Sequence, residues 1–286
     1  MQVKRASDLR FRYGYLIHQT VVVSLTTLSA IVILTPVVWM INAAMRPIKE
    51  VLTYPPRLDP SQLTFEYMAS LIENELYRGY FVNSTIISLS TLAIVLVLGL
   101  LAAYGFSRFK MVGGRYMLLG IMALLMLPTV TLIVPYFRLA HLVGLYDTLF
   151  GLIVVNSAFI LPICIWLLKG YMDAIPVDLE EAAMIDGCTR LQAMQKILVP
   201  LAVPGIVGTG TFVFVFAWNE FLLAVTLTDS PGSQPLTIGL AAFFGQFVRD
   251  WNSIMALSTI TSIPLMIIFV LFQRWVVQGM TSGAVK

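Results

Sequence analysis

The chain has 286 residues and a formal net charge of +3; 58% of its residues are hydrophobic, 12% are charged, and the mean hydropathy is +0.87. The charged share is about half that of a soluble domain, which excludes an ordinary soluble fold. Two cysteines, Cys164 in an apolar run and Cys188 in a polar stretch, supply neither a disulfide framework nor a metal-ligand spacing.

Six apolar runs are long enough to cross a bilayer: 21–45, 84–106, 116–137, 148–168, 201–227 and 254–277. A helical crossing takes about 20 residues. Inside lipid every backbone amide must bond within its own segment, so these runs are predicted to be helices. Barrel strands are shorter and alternate in polarity. The first run is too long for a signal peptide, and Trp39, Met40 and Asn42 stand where a small-residue cleavage site would be sought. It reads as a retained anchor.

The expected partition is therefore 1–20 as an N-terminal segment, 21–45 as the first transmembrane helix and 46–83 as an external segment. Residues 84–278 follow as a core of five transmembrane helices, and 279–286 as a tail. An even number of spans puts both ends on one side. That side carries 12 Lys and Arg residues, among them Arg10, Arg108, Lys169, Arg190 and Lys286, against 6 on the other. The positive-inside rule makes the richer side cytoplasmic.

The outer side has two sizeable pieces. Residues 46–83 contain "YPPRLDP", a turn-rich linker, then "TFEYMASLIENEL", a short helix expected to show Phe65, Met68, Ala69 and Ile72 on one face. Residues 229–252 open with the loop "DSPGSQP". The following "LTIGLAAFFGQF" is too short and glycine-broken to span, so it is expected to lie on the membrane surface or re-enter partway.

The cytoplasmic loop between the fourth and fifth runs, 178–200, is "DLEEAAMIDGCTRLQAMQKILVP". Asp178 with Glu181 has the form of a capping box and predicts a helix from Leu179; Gly187 supplies its stop. Thr189 with Gln192 predicts a second capping box, for a helix that Pro200 interrupts. Leu179, Ala182 and Ala183 share one face of the first helix, with Glu180, Glu181 and Asp186 turned outward. Leu191, Met194 and Leu198 form the apolar stripe of the second.

A DNA-reading helix-turn-helix has similar spacing but fails on charge. Four acids against Arg190 and Lys196 leave −2 where phosphate needs a basic face, so no nucleic-acid partner is expected. A loop packing only on its own bundle is the plainer alternative, though linking two spans takes only a few residues. A docking helix for a cytosolic partner fits the flat alanine face and the acidic rim.

"EAAMIDGCTRLQAMQKILVP" resembles the EAA motif of ATP-binding-cassette importer permeases, with Glu181, Ala182, Ala183, Gly187, Ile197 and Pro200 in register and Val199 in place of the usual leucine. "FAWNEFLLAVTL", "PLTIGLAAF" and the stretches 83–114 and 250–286 resemble carbohydrate-importer permeases, most closely the six-span subunit of the maltose-type branch. The resemblance implies an all-α type I importer permease fold in the cell inner membrane. It also implies a second permease subunit, two ATP-binding-cassette ATPase subunits, an extracytoplasmic solute-binding protein and a sugar or polyol substrate. It implies that Glu181, Ala182, Ala183, Asp186 and Gly187 form the ATPase-docking element, with Glu181 as its ion-pairing residue. The external loop 229–252, at Ser233, Gln234 and Pro235, would contact the binding protein, and the tail 279–286 would reach the ATPase dimer.

No G-x-x-x-x-G-K-[ST] occurs, so ATP and Mg²⁺ are expected on the partner ATPases, with no cofactor or metal on this non-catalytic chain. Candidate substrate-pathway residues are Asn219, Glu220, Trp218 and Asn156, with Asn83 and Ser157 weaker. An intramembrane acid points to function, against the plainer reading of Glu220 as a solvated or hydrogen-bonded helix end. Trp218 is either a platform for a sugar ring or an interfacial tryptophan. Pro204, Gly205, Gly208 and Gly210 suggest a bend or close helix packing. A secondary transporter would show paired intramembrane acids in related halves, which this chain lacks. A membrane scaffold would leave the 178–200 loop unexplained.

Overall fold

A computed structural model describes residues 2–47, 51, 63–244 and 251–282, and every regular element among them is helical. In chain order these are α1 (Gln2–Ala44), α2 (Glu66–Glu73), α3 (Glu75–Arg108), α4 (Gly114–Leu124), α5 (Thr129–Leu142) and α6 (Leu149–Asp173). Then come α7 (Asp178–Ile185), α8 (Arg190–Ala193), a π turn (Met194–Leu198), α9 (Val199–Asn219), α10 (Leu222–Leu227), α11 (Leu236–Ala242) and α12 (Trp251–Ser282). The linker "YPPRLDP" and the tail end 283–286 lie outside the described residues, as does 245–250 of the external loop.

The chain forms two units, one of residues 1–70 with 250–260, the other of 71–249 with 261–286. In the first unit α1 leaves every side chain from His18 to Pro36 exposed, as suits a helix whose surroundings are lipid or another protein. Its far end is tied by polar groups. Arg46 Nε donates to Asn42 Oδ1 at 2.8 Å, the Asn252 amide donates to the Ala43 and Arg46 carbonyls, and Thr64 N donates to Met45 O at 2.7 Å. The short helix α2 is present, but the expected apolar face is not its buried one. Leu71 is buried while Phe65 and Ile72 are exposed, so the packed stripe runs one position off.

The second unit is built on α3, α6 and α9. Asn74 caps α3 by accepting from Leu76 N, and Thr148 caps α6 by accepting from Gly151 N. The two helices run in the same direction and in close contact. Cys164 Sγ donates to Val95 O at 3.6 Å, and a Cβ on Gly99 would stand 2.8 Å from the same sulfur. Gly205 of α9 likewise receives the Tyr171 ring, where a Cβ would meet ring carbon at 2.3 Å. Close packing is thus the outcome for the glycine-rich start of α9. Toward one end Val95, Ile160, Cys164, Leu168, Met172, Met194, Leu198 and Val213 make an apolar core; toward the other Ile87, Ala140, Leu152, Leu223, Ala224 and Leu227 make a second.

Two predicted spans take another form. The third is broken: α4 and α5 meet at 92°, with Pro128 at the break. Proline offers no N–H to the helix ladder and crowds the turn before it, so the run cannot stay straight. Among the described residues five helices are long and apolar enough to cross a membrane, and six spans result if the bent pair is one. The fifth run begins earlier and ends earlier than expected, from Arg190 to Asn219, and α10 follows as a separate turn. Pro200 does not interrupt it. The π turn just ahead widens the ladder, with Val199 N bonding to Met194 O, and seats a proline that has no N–H to give.

Candidate functional site

The 178–200 loop folds as a short helix, a glycine turn and a second helix. The stop of α7 is a complete Schellman arrangement: Gly187 N donates to Met184 O at 3.1 Å, Cys188 N to Ala183 O at 3.0 Å, and Gly187 has φ +95°. Thr189 and Gln192 form the predicted reciprocal capping box. The Asp178 capping box does not form. Asp178 is the first helical residue, behind Val177, whose side chain makes no cap bond. An acid in the first turn still favours the helix through its dipole, without a cap bond.

The faces of α7 also differ from expectation. Ala183 and Glu180 are the buried residues, while Leu179, Glu181, Ala182, Ile185 and Asp186 are exposed. Glu180 is therefore not part of an outward rim. It pairs with Arg108, the last residue of α3, at 2.6 Å from Nε to Oε1, and both side chains are 4% exposed. Arg108 also donates from Nη2 to Ile175 O at 3.0 Å and from Nη1 to Ser107 Oγ at 3.1 Å. Ser107 in turn donates to Asp173 Oδ1 at 2.7 Å, and Lys169 pairs with Asp173 at 2.5 Å. The Tyr104 hydroxyl faces the Glu180 carboxylate, and the Arg190 guanidinium lies over the Phe109 ring at 5.0 Å. In the second helix Met194 and Leu198 are buried as expected, whereas Leu191 is exposed.

The opposite end of this unit holds the loop after α10. Asp147, in a left-handed conformation at φ +56°, accepts at Oδ1 from Asp229 N at 2.8 Å, Ser230 N at 2.9 Å and the Ser233 hydroxyl. Burial pushes its carboxyl up, but these donors outweigh burial and hold it below the usual carboxylate range. From α3, Asn83 Nδ2 donates to the carbonyls of Pro231, Gly232 and Gln234, and Ser84 Oγ accepts from Leu236 N. Tyr80 donates to Gln234 Oε1 at 3.1 Å. Ser233 and Pro235 are buried, Gln234 is half-buried, and the surface of the loop is 229–232. In the stretch after it α11 lies against the start of α3, and Phe243 stacks on Tyr77 at 5.4 Å.

Of the four pathway candidates, Trp218, Asn219 and Glu220 follow one another at the end of α9, and their side chains go to different surroundings. Trp218 is a core residue rather than a platform. It is 2% exposed, its indole donates to Thr261 O at 3.1 Å, Phe214 stacks on it and Phe81 meets it edge-on. Asn156, on α6, is buried, and neither polar atom of its amide has a hydrogen-bond partner among the described residues. Glu220 ends α9 and caps α10, its two oxygens accepting from Leu223 N at 2.7 Å and Ala224 N at 3.0 Å. Asn219 alone of the four is exposed, with its amide bonded back to Val215 O.

A bundle of membrane-length helices, with a glycine-turned helix pair at one end and a stapled loop at the other, is the architecture of a membrane-embedded importer permease. The chain belongs to the family of binding-protein-dependent transport system inner membrane components, whose model matches residues 67–282. It is 38% identical over 255 residues to the trehalose transport system permease protein of Mycobacterium tuberculosis, covering 88% of this chain and 92% of that one. It is 34% identical to the diacetylchitobiose uptake system permease protein of Streptomyces coelicolor, over 88% and 91% of the two chains. With the trehalose/maltose transport system permease protein of Thermococcus litoralis the identity is 36%, over 91% and 94%. A chain of a bacterial transporter that imports the acidic polysaccharide alginate has the same fold, with TM-score 0.77 at 21% identity over 90% of this chain and 96% of that one. The all-α permease fold and the class of transport subunit follow.

Proposed function

We propose that this chain is one of two permease halves of an ATP-driven, binding-protein-dependent sugar importer, and that α7 is the helix on which an ATPase subunit docks. The substrate class is a di- or oligosaccharide or a related polyol, as the names of the trehalose, diacetylchitobiose and maltose relatives suggest. Both termini and the 178–200 loop face the cytoplasm, on the strength of the Lys and Arg asymmetry. The chain is non-catalytic and carries no cofactor; ATP and Mg²⁺ belong to the partner ATPases. The second permease completes the pathway, and the solute-binding protein delivers sugar at the 229–232 surface.

The observation that carries the docking role is the outward face of α7. Leu179, Ala182 and Ile185 are apolar and exposed, Glu181 and Asp186 flank them, and Glu180 and Ala183 fix the helix from behind. ATP-driven closure of the ATPase pair moves that helix, and the permease pair rocks between inward- and outward-facing states with different affinities for sugar and binding protein. The test is co-purification of the chain with its neighbouring subunits, then uptake of labelled disaccharides into proteoliposomes with the binding protein. Bound ATPase and ATP-dependent uptake are expected; a folded chain that retains no ATPase subunit overturns the reading.

A further inference from the structure

We infer that the buried Arg108–Glu180 pair is the joint through which α7 drives α3. This rests on the docking reading of α7 and adds to it a specific route into the bundle. Helix α7 packs on α8 and the π turn, which continue directly into α9. Its hold on α3 is of another kind. Of its two buried side chains, Ala183 presents a methyl group, and Glu180 carries the ion pair at 2.6 Å.

The guanidinium is fixed by all three of its nitrogens, on Glu180, Ile175 O and Ser107 Oγ, so it has no freedom to rotate. It therefore joins the end of α3, the turn after α6 and the docking helix at one point. Holding two charges out of water is a poor route to stability, since apolar side chains of like volume do as well or better. Its merit is directional: a charge-assisted bond resists sliding and pulling, where an apolar contact slips. Movement of α7 thus reaches α9 through packing and α3 through this pair. Breaking it leaves α7 docked and attached to α9 while α3 no longer follows.

The experiment uses the assembled transporter with Glu180→Gln, and with the charge-retaining Glu180→Asp and Arg108→Lys in case the first does not fold. Three quantities are read: ATPase subunit retained, cross-linking of Ala182→Cys to the ATPase, and sugar moved per ATP hydrolysed at equal assembly. The expected result is normal retention and cross-linking with uptake per ATP reduced at least about fivefold, the lower range of a coupling free energy. Unchanged uptake per ATP in assembled variants overturns the joint. So does loss of ATPase retention in the variants while Ala182→Cys still cross-links in the otherwise native chain, because the pair then only holds α7 in place. Failure of Ala182→Cys to cross-link in the otherwise native chain refutes the docking reading itself, and the joint with it.

Discussion

Glu180 and Glu181 are neighbours in sequence and opposite in circumstance. One is buried and answered by Arg108; the other is exposed at the rim of an apolar patch. Substituting Glu181→Lys should therefore abolish uptake and ATPase retention while membrane insertion and melting temperature stay near native, because an exposed residue contributes little to stability. Normal uptake in that variant would refute its role in docking. Asp147 makes a different case. Its folded-state carboxyl lies below the ordinary range, so the stabilisation it gives is present above the unfolded value of about 4 and is lost as pH falls toward the folded one. Asp147→Asn should cost about 1–3 kcal/mol near neutral pH, the scale of losing hydrogen bonds to a charged group. The gap between native and variant should narrow below about pH 4. Unfolding in detergent across pH 3–8 measures both; a gap that widens with acid contradicts the assignment.

Among the elements, glycines decide how close the helices stand. At Gly99 an added methyl would meet the Cys164 sulfur at 2.8 Å, so Gly99→Ala should destabilise the chain by about 1–3 kcal/mol through overpacking. Removing the sulfur with Cys164→Ala in the same chain should recover most of that loss, and an additive double variant would show that the two helices do not meet there. Gly187→Pro strikes a turn instead: φ is +95° and the N–H is bonded to Met184 O, so proline can satisfy neither. Uptake should vanish with the helices of the bundle intact by circular dichroism. These elements were legible from local signals. The glycine stop, the Thr189 box and most spans follow from residues within a few positions of one another. The break at Pro128 and the π turn before Pro200 were not, because whether a proline bends, breaks or is absorbed depends on what the neighbouring helices allow.

At the scale of the whole molecule, what stayed hidden in sequence is pairing across distance. Nothing near Glu180 announces Arg108, 72 positions earlier, and nothing near Ser233 announces Asp147, 86 positions earlier. Hence the helical periodicity turns Glu180 outward and the resemblance offers Ser233 to a partner, while the fold buries both. Both hidden networks involve α3. Asn83 staples the 231–234 backbone near its start, and Arg108 holds α7 at its end, some 38 Å away at about 1.5 Å per residue. If α3 carries motion between these two ends, both anchors are needed for it. Asn83→Ala removes the anchor at the start of α3 without touching the one at its end. In the reconstituted importer it should leave ATPase retention and basal ATP hydrolysis at native levels, since the 178–200 loop is unaltered. Stimulation of hydrolysis by sugar-loaded binding protein should fall at least about fivefold, the scale of a lost coupling between sites. If stimulation survives while hydrogen exchange shows 229–234 released from α3, the Asn83 staple has no part in transmission, and the signal crosses the membrane by another helix.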